Sequence, residues 1–351
     1  MRAELHSGTI EPLLPEWDEL FRADPDATPF SSAGWARAWW PHWSDNAAPW
    51  IVTVRDANRL VGLAPFVAAR RGPFRVLAEL GRPPANYWSV LAVPEARAAV
   101  GTAVAAELRA RAREWHALLL GGLPEGSDFE AALRAAGLRV RARRPTPYPG
   151  IVLPDSFDRY LEDLPRKRRK DLRRHLRRLD DGALQLRDVT DPAELRAAID
   201  RWQDIRVRWW QSRNKQMDPE HATTRFRDFV RDMVLELVPQ GRAQVWEFRQ
   251  DGEVVGIEVN LMDATHFYSW MGAYEPDVAH LGLGKVAIGE SIRASIAAGR
   301  SYYDLMVGDE EYKYWYGATD RHCRWLMVGS GRPGSRAALA AGAAADRVRG
   351  L

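Results

Sequence analysis

The sequence predicts an α/β (α+β) fold of two tandem domains, each a mixed, largely antiparallel sheet flanked by helices. Three observations carry that prediction. At 351 residues the chain is too long for one average core and suits two domains of roughly 150 residues each. A hairpin in the first half (WIVTV, a turn at 56–58, then RLVGLAPFVAA) returns in the second as AQVWEFR, a turn at Asp251-Gly252 and EVVGIEVNLM. Shifting one half by 194 residues places Val54 on Phe248, Arg55 on Arg249, Leu60 on Val254, Val61 on Val255 and Gly62 on Gly256. In both halves helices precede the hairpin, and strand, helix and strand follow it.

The first 45 residues read as helical segments, with Trp35, Trp39, Trp40 and Trp43 at helical spacings and Pro41 limiting the helix. After the hairpin, strands are expected near 74–80 and 86–93, then a helix over 96–113, the strand HALLLGG and a helix over 128–136 stopped by Gly137. In the second half a helix over 191–210 carries Leu195, Ile199, Trp202, Ile205 and Trp209 on one stripe. A second helix over 223–238 turns Phe226, Phe229, Val230, Met233, Val234 and Leu237 inward. The hairpin, the strand ATHFYSWMG, a helix over 285–298 ended by Gly299, and the strand SYYDLMVG complete the order. The expected boundaries are a first domain over 1–152, a basic helical linker or arm over 153–181, a second domain over 182–332 and an alanine-rich tail over 333–351.

Composition narrows the function classes. Nearly half the residues are hydrophobic and fifteen are tryptophan, a folded composition. The net charge of +3 gives no bulk reason to expect DNA as a partner, and 45 arginines against 5 lysines reads as codon bias. A single cysteine, Cys323, excludes an internal disulfide framework and fits a reducing compartment. With no signal-like start and no apolar run long enough for membrane insertion, a cytoplasmic protein is expected. GLGK at 282–285 is not a P-loop, since Ala279 stands at its first glycine and Val286 where Ser or Thr would hold magnesium. No nucleophile elbow is present, and the eight histidines form no metal-ligand spacing, so no metal is expected.

The chemistry begins at the loop between ATHFYSWMG and the helix KVAIGESIRASIAAG. Gly282 and Gly284 just ahead of that helix leave its first N–H groups bare, a terminus suited to phosphate, and Lys285 adds a positive charge. The alternative reading is a loop whose glycines serve the turn alone.

Three further features give the chain a family likeness. The opening W-x-x-L with a later PF-x-x-x-x-W-x-x-x-WW, the helix R-K-x-L-R-R-x-x-R-R-L at 169–179, and YYDLMVGDEEYKYWYG with Asp304, Gly308, Tyr312 and Lys313 resemble the double-GNAT acyltransferases of the FemAB/CelD-like type. The resemblance implies transfer of an acyl or aminoacyl group to an amine, with acyl-CoA or an acyl-carrier thioester as donor, and an amino sugar or small metabolite as acceptor. Fem-type relatives take aminoacyl-tRNA instead, so a tRNA partner is the second reading. A non-catalytic GNAT-fold binding or assembly protein is the third.

Amine acylation needs a deprotonated amine and a stabilised oxyanion. Asp304, in an otherwise apolar strand, is a candidate to orient or deprotonate the amine. Lys313 is a candidate to pair with it, to bind a donor phosphate or to stabilise the oxyanion, against the alternative of a structural Asp304–Lys313 ion pair. Tyr312 and Tyr316 either protonate the leaving group or pack. Glu258 and Asn260 share one face of their strand and form a second candidate set. That face meets His266, Tyr268 and Trp270 if the following turn has three residues, or Phe267, Ser269 and Met271 if it has two. Nine of the thirteen residues over 166–178 are Arg or Lys, a candidate for RNA phosphates or a solvated face, while Leu172, Leu176 and Leu179 supply an apolar stripe.

Overall fold

The computed structural model describes residues 1–213, 217 and 219–348. Its first strands are β1 (Arg2–His6), β2 (Ala47–Asp56), β3 (Arg59–Arg71), β4 (Phe74–Glu79), β5 (Leu91–Ala92), β6 (Ala117–Pro124), β7 (Arg139–Ala142) and β8 (Thr146–Pro147). Then come β9 (Gly150–Val152), β10 (Gln185–Asp188), β11 (Ala243–Gln250), β12 (Glu253–Met262), β13 (His266–Tyr274), β14 (Tyr302–Asp304) and β15 (His322–Gly329). The early helices are α1 (Leu14–Ala23), α2 (Ala33–Trp43), α3 (Arg97–Ala110), α4 (Asp128–Ala135), α5 (Phe157–Asp163) and α6 (Arg166–Asp180). The later ones are α7 (Pro192–Ser212), α8 (Thr224–Leu237), α9 (Leu283–Ala297), α10 (Glu311–Trp315) and α11 (Ser335–Val348).

Contacts divide the chain into one unit of Met1–Thr146 with His322–Leu351 and another of Pro147–Arg321. The first unit holds a sheet in the order β1-β2-β3-β4-β6-β15-β7, the second a sheet in the order β10-β11-β12-β13-β14-β9. The repeat read from the sequence extends to the hydrogen-bond register. Val54 pairs with Gly62 as Phe248 pairs with Gly256, and Arg55 pairs with Leu60 as Arg249 pairs with Val254. The register shifts at the same place in both hairpins, between 54 and 55 and between 248 and 249. Each hairpin is followed by a strand that pairs in parallel with the next, β4 with β6 and β13 with β14.

Several expected boundaries move. The opening is not all helical, because β1 pairs with β2 along residues 51–55; a short edge strand needs no apolar alternation to announce it. Pro41 lies inside α2, in its last turn, rather than ahead of its end. Of the strand expected over 86–93 only β5 forms, and of SYYDLMVG only β14. The residues of β15, expected in the second domain, pair with β6 and β7 of the first sheet, whereas β9 completes the second sheet beside β14. The alanine-rich end is a helix, with Ala338 and Leu339 packed on Ala117 and Met327. The basic segment packs through the apolar stripe read from its sequence. Leu172 and Leu176 of α6 are buried with Ile292 and Ile296 of α9, and a Cβ at Gly289 would stand 2.6 Å from Leu172, so the glycine lets the two helices close up. Among the described residues no helix is long and apolar enough to cross a membrane.

Candidate active site

The second unit brings the chemistry to the opening of α9. Its N-cap, Gly282, sits in the left-handed region (φ 63°, ψ 42°) and offers no side-chain cap. A side chain there is excluded twice, since its Cβ would also stand 2.6 Å from the His175 ring. The amides of Lys285 and Val286 turn back to the Gly282 carbonyl, while those of Leu283 and Gly284 have no hydrogen-bond partner among the described residues. Two bare donors at the positive end of a four-turn helix attract an anion.

Residues of α6 clasp this terminus from the side. Asp171 accepts a 2.5 Å hydrogen bond from the Lys285 ammonium, which also lies 4.8 Å from the centre of the Trp315 ring. Burial works to raise the Asp171 carboxyl, yet Lys285, His175 and Arg174 together hold it below the usual carboxylate range. His175 is pushed down by burial first, against the opposing Asp171 carboxylate and with the charges of Lys285 and Arg178; its Nδ1 lies 2.9 Å from the Arg178 guanidinium.

Gly284 connects the helix opening to a buried acid. A Cβ at 284 would lie 3.6 Å from the Tyr274 ring, and the Tyr274 hydroxyl donates to the Glu258 carboxylate. Glu258 is 5 % exposed, and burial pushes its carboxyl up to about 7 against the opposing Tyr274 hydrogen bond. The register sets Glu258 opposite Gly272, where a side chain would meet the carboxylate at 2.3 Å and the Tyr274 hydroxyl at 2.8 Å. Gly272 is exposed, so the acid lies under a thin place in the sheet. On the same strand and face Asn260 is fully buried, and neither of its amide atoms has a hydrogen-bond partner among the described residues. Tyr312 is half-exposed; its hydroxyl is pushed up to about 12, by desolvation first and then by the Glu310 and Glu258 carboxylates.

The other sequence candidates do not gather there. Phe267 and Tyr303 stack at 5.3 Å in the core shared with Met262 and α9, so Met262 and Glu258, of like parity, face that helix. Tyr268 and Asp304, one residue on, face the opposite way. The Asp304 carboxylate accepts from the Met306 amide at 2.6 Å, and Met306 adopts φ 66°. Lys313, 2 % exposed, donates to the carbonyls of Met306, Val307 and Gly308 at 3.0–3.1 Å and pairs with Glu310 at 2.7 Å. Both charges therefore brace the loop after β14. Tyr316 is buried, with its carbonyl held by the Tyr160 hydroxyl; Tyr268 donates to Asp263 at 3.0 Å; and Trp270 packs toward Phe226 of α8.

The turn after β12 has three residues, 263–265, yet the register is not the simple three-residue one. An irregularity at 259–261 lets two residues of β13 oppose Asn260 and carries Gly272 to Glu258. Tyr274, Asp171 and His175 were not singled out from the sequence. The one local signal for them was Gly272, two residues before a tyrosine on a strand beside an acid.

A basic groove of ≈ 940 Å³ adjoins the α9 opening, lined by eight cations of α6 between Arg166 and Arg177, with Asp171, Lys285 and Trp315. The corresponding place in the first unit is filled by its own chain. β4 and β6 pair only over 76–78 and 117–119, and beyond them a Cβ at Gly122 would stand 2.1 Å from the Asn86 carbonyl. Arg82 fills the rest, 3.8 Å over the Trp325 ring and paired to buried Glu79 at 3.0 Å.

Residues 166–314 match the family model of the acetyltransferase (GNAT) domain. No protein of curated function matches the chain. Among solved structures, FemX is similar over 92 % of this chain and 96 % of its own, at 11 % identity and TM-score 0.67. L-PGS from Bacillus licheniformis covers 93 % of this chain and 94 % of its own, at 10 % identity and TM-score 0.59. A tandem GNAT protein from the clavulanic acid biosynthesis pathway covers 94 % and 99 %, at 14 % identity and TM-score 0.50.

Proposed function

We propose that this chain, in which residues 166–314 match the acetyltransferase (GNAT) domain and whose fold is that of tandem-domain structures such as FemX, is a cytoplasmic N-acyltransferase acting through its second unit. The donor is acyl-CoA or a related thioester and the acceptor an amine of an amino sugar or small metabolite. One observation carries the reading. The bare amides of Leu283 and Gly284 adjoin Tyr274, and Tyr274 holds a buried carboxylate whose pKa lies near neutrality.

In this reading Gly282, Gly284 and Lys285 hold a donor phosphate, and Glu258 is the general base. Glu258 takes the proton of the attacking amine as the new C–N bond forms and the C–S bond breaks. Tyr312, protonated at neutral pH and electrically coupled to Glu258, supplies the proton to the departing thiolate. Asp304 and Lys313 are positioning residues that shape the loop leading to Tyr312.

Calorimetry of the full chain against acetyl-CoA, longer acyl-CoAs and charged tRNA tests the donor. Binding lost on Lys285→Ala together with Gly284→Pro supports the site, whereas binding of any donor untouched by both changes overturns it. The basic groove favours the aminoacyl-tRNA reading as the alternative, because clustered unpaired cations supply sequence-independent affinity for nucleic-acid phosphates.

A further inference from the structure

The segment that carries Tyr312 cannot hold its own shape. α10 has five residues, Glu311–Trp315, and its N-cap Glu310 gives it no side-chain cap. A helix of little more than one turn is unstable without tertiary support, and the carbonyls at its far end need donors from elsewhere. Within the turn the amides of Lys313, Tyr316 and Gly317 donate to Glu310, Lys313 and Tyr314. The ring of Tyr312 is 53 % exposed, so its own packing fixes it little and the backbone beneath it decides where the hydroxyl points.

The missing donors come from residues 146 and 156 positions earlier in the chain. Arg168 of α6 donates through Nη1 to the carbonyls of Tyr314 and Trp315 at 2.9 and 3.3 Å, and the Tyr160 hydroxyl of α5 donates to the carbonyl of Tyr316 at 3.0 Å. Three successive carbonyls are thus held by two side chains. The two supports differ in kind. Tyr160 is buried in the core with Leu161, Leu164 and Tyr316, and its bond is part of that packing. Arg168 is turned inward while Arg166, Lys167 and Lys170 beside it are exposed, and its charge is spent on two neutral carbonyls at the negative end of a helical turn. Only one turn separates those carbonyls from Tyr312, so a shift at that end is carried to the hydroxyl.

We propose that Arg168 is a positioning residue for the general acid: by holding the carbonyls of Tyr314 and Trp315 it sets the turn from which the Tyr312 hydroxyl reaches the departing thiolate. The inference rests on the reading of Tyr312 as that acid. Two measurements separate the role of one residue from the role of the other.

Hydrogen exchange of the full chain reads the hold directly and needs no substrate. Arg168→Ala is expected to speed exchange of the Lys313, Tyr316 and Gly317 amides about tenfold or more, while the paired amides of β11 and β12 keep their protection. Unchanged exchange at those three positions overturns the proposal. The second measurement is a double-mutant cycle on transfer from acetyl-CoA to glucosamine. Arg168→Ala and Tyr312→Phe are each expected to lower kcat by roughly ten- to a hundredfold, and together no more than either alone, since nothing is left to position. Free guanidinium ion is expected to restore part of the rate to Arg168→Ala and none to Tyr312→Phe. Losses that multiply in the double variant place Arg168 elsewhere in the reaction; they overturn its positioning role and leave Tyr312 as the acid. A weaker acetyl-CoA affinity with kcat unchanged makes Arg168 a donor-binding residue and overturns the proposal as well. A native rate in Tyr312→Phe removes the acid, and the positioning role with it.

Discussion

Glu258 concentrates the argument at the scale of single residues. Its carboxyl lies near 7 when the chain is folded and at the ordinary 4.5 when it is not. Between those values the folded chain holds a proton that the unfolded chain has released, so its stability is fully present below pH 4.5 and is lost as pH rises through 7. The difference corresponds to about 3 kcal/mol of destabilisation at pH 8. Glu258→Gln is therefore expected to raise the denaturation midpoint at pH 8 and to leave it unchanged at pH 4, as urea titrations at the two pH values would report. In the proposed mechanism the same carboxyl governs the rate. Acylation by the native chain is expected to increase as pH rises through about 7, where the base loses its proton, and the Gln variant to lack that limb. A variant more stable and less active than the native chain is the signature of a group kept buried for its chemistry.

Among the elements, α9 and the loop after β14 show opposite uses of charge. At α9 the backbone itself is the proposed binding group, and glycine is required at 282 because φ is positive and His175 occupies the space of a side chain. After β14 the charges are structural: Asp304 satisfies the Met306 amide while Lys313 satisfies the Met306 carbonyl and the next two. Lys313→Met leaves three carbonyls without a donor in a buried place. A loss of about 3–5 kcal/mol in stability is expected, with Tm the readout, and donor binding at the α9 opening is expected to survive in the folded fraction. The motif that looks most catalytic in the sequence, Asp304 to Lys313, holds the backbone of the loop after β14 through these hydrogen bonds, and in the proposed mechanism it acts by positioning. Which of two acids does chemistry is decided by the strand face each occupies and by what buries it, and β14 is too short for spacing to reveal the face.

For the whole molecule, the repeat explains both the likeness of the units and their difference. Each sheet parts after a short parallel pairing, β4 with β6 and β13 with β14. In the first unit the gap is stopped by Arg82, Trp325 and the backbone at Asn86. Gly122→Ala, which meets the Asn86 carbonyl and an unfavourable φ of 67°, is expected to destabilise the first unit by several kcal/mol. Donor binding by the second unit is expected to persist, which calorimetry on the soluble variant would establish; loss of binding would overturn the placement of the donor site in the second unit.

The sequence by itself determined the tandem α/β order, the repeated hairpin, the glycine-bearing opening of α9 and the apolar stripe of α6. All of these follow from contacts between residues near in the chain, where alternation, helical spacing and turn chemistry are written locally. Only the tertiary structure decided that β15 returns to the first sheet, that the basic segment packs along α9, and that Glu258 is the near-neutral acid. Strand pairing between distant segments leaves no local period to read, and the irregularity opposite Asn260 shifts the register by a residue. The pKa of Glu258 is set by burial and by a hydroxyl sixteen residues away, quantities that exist only once the sheet has closed.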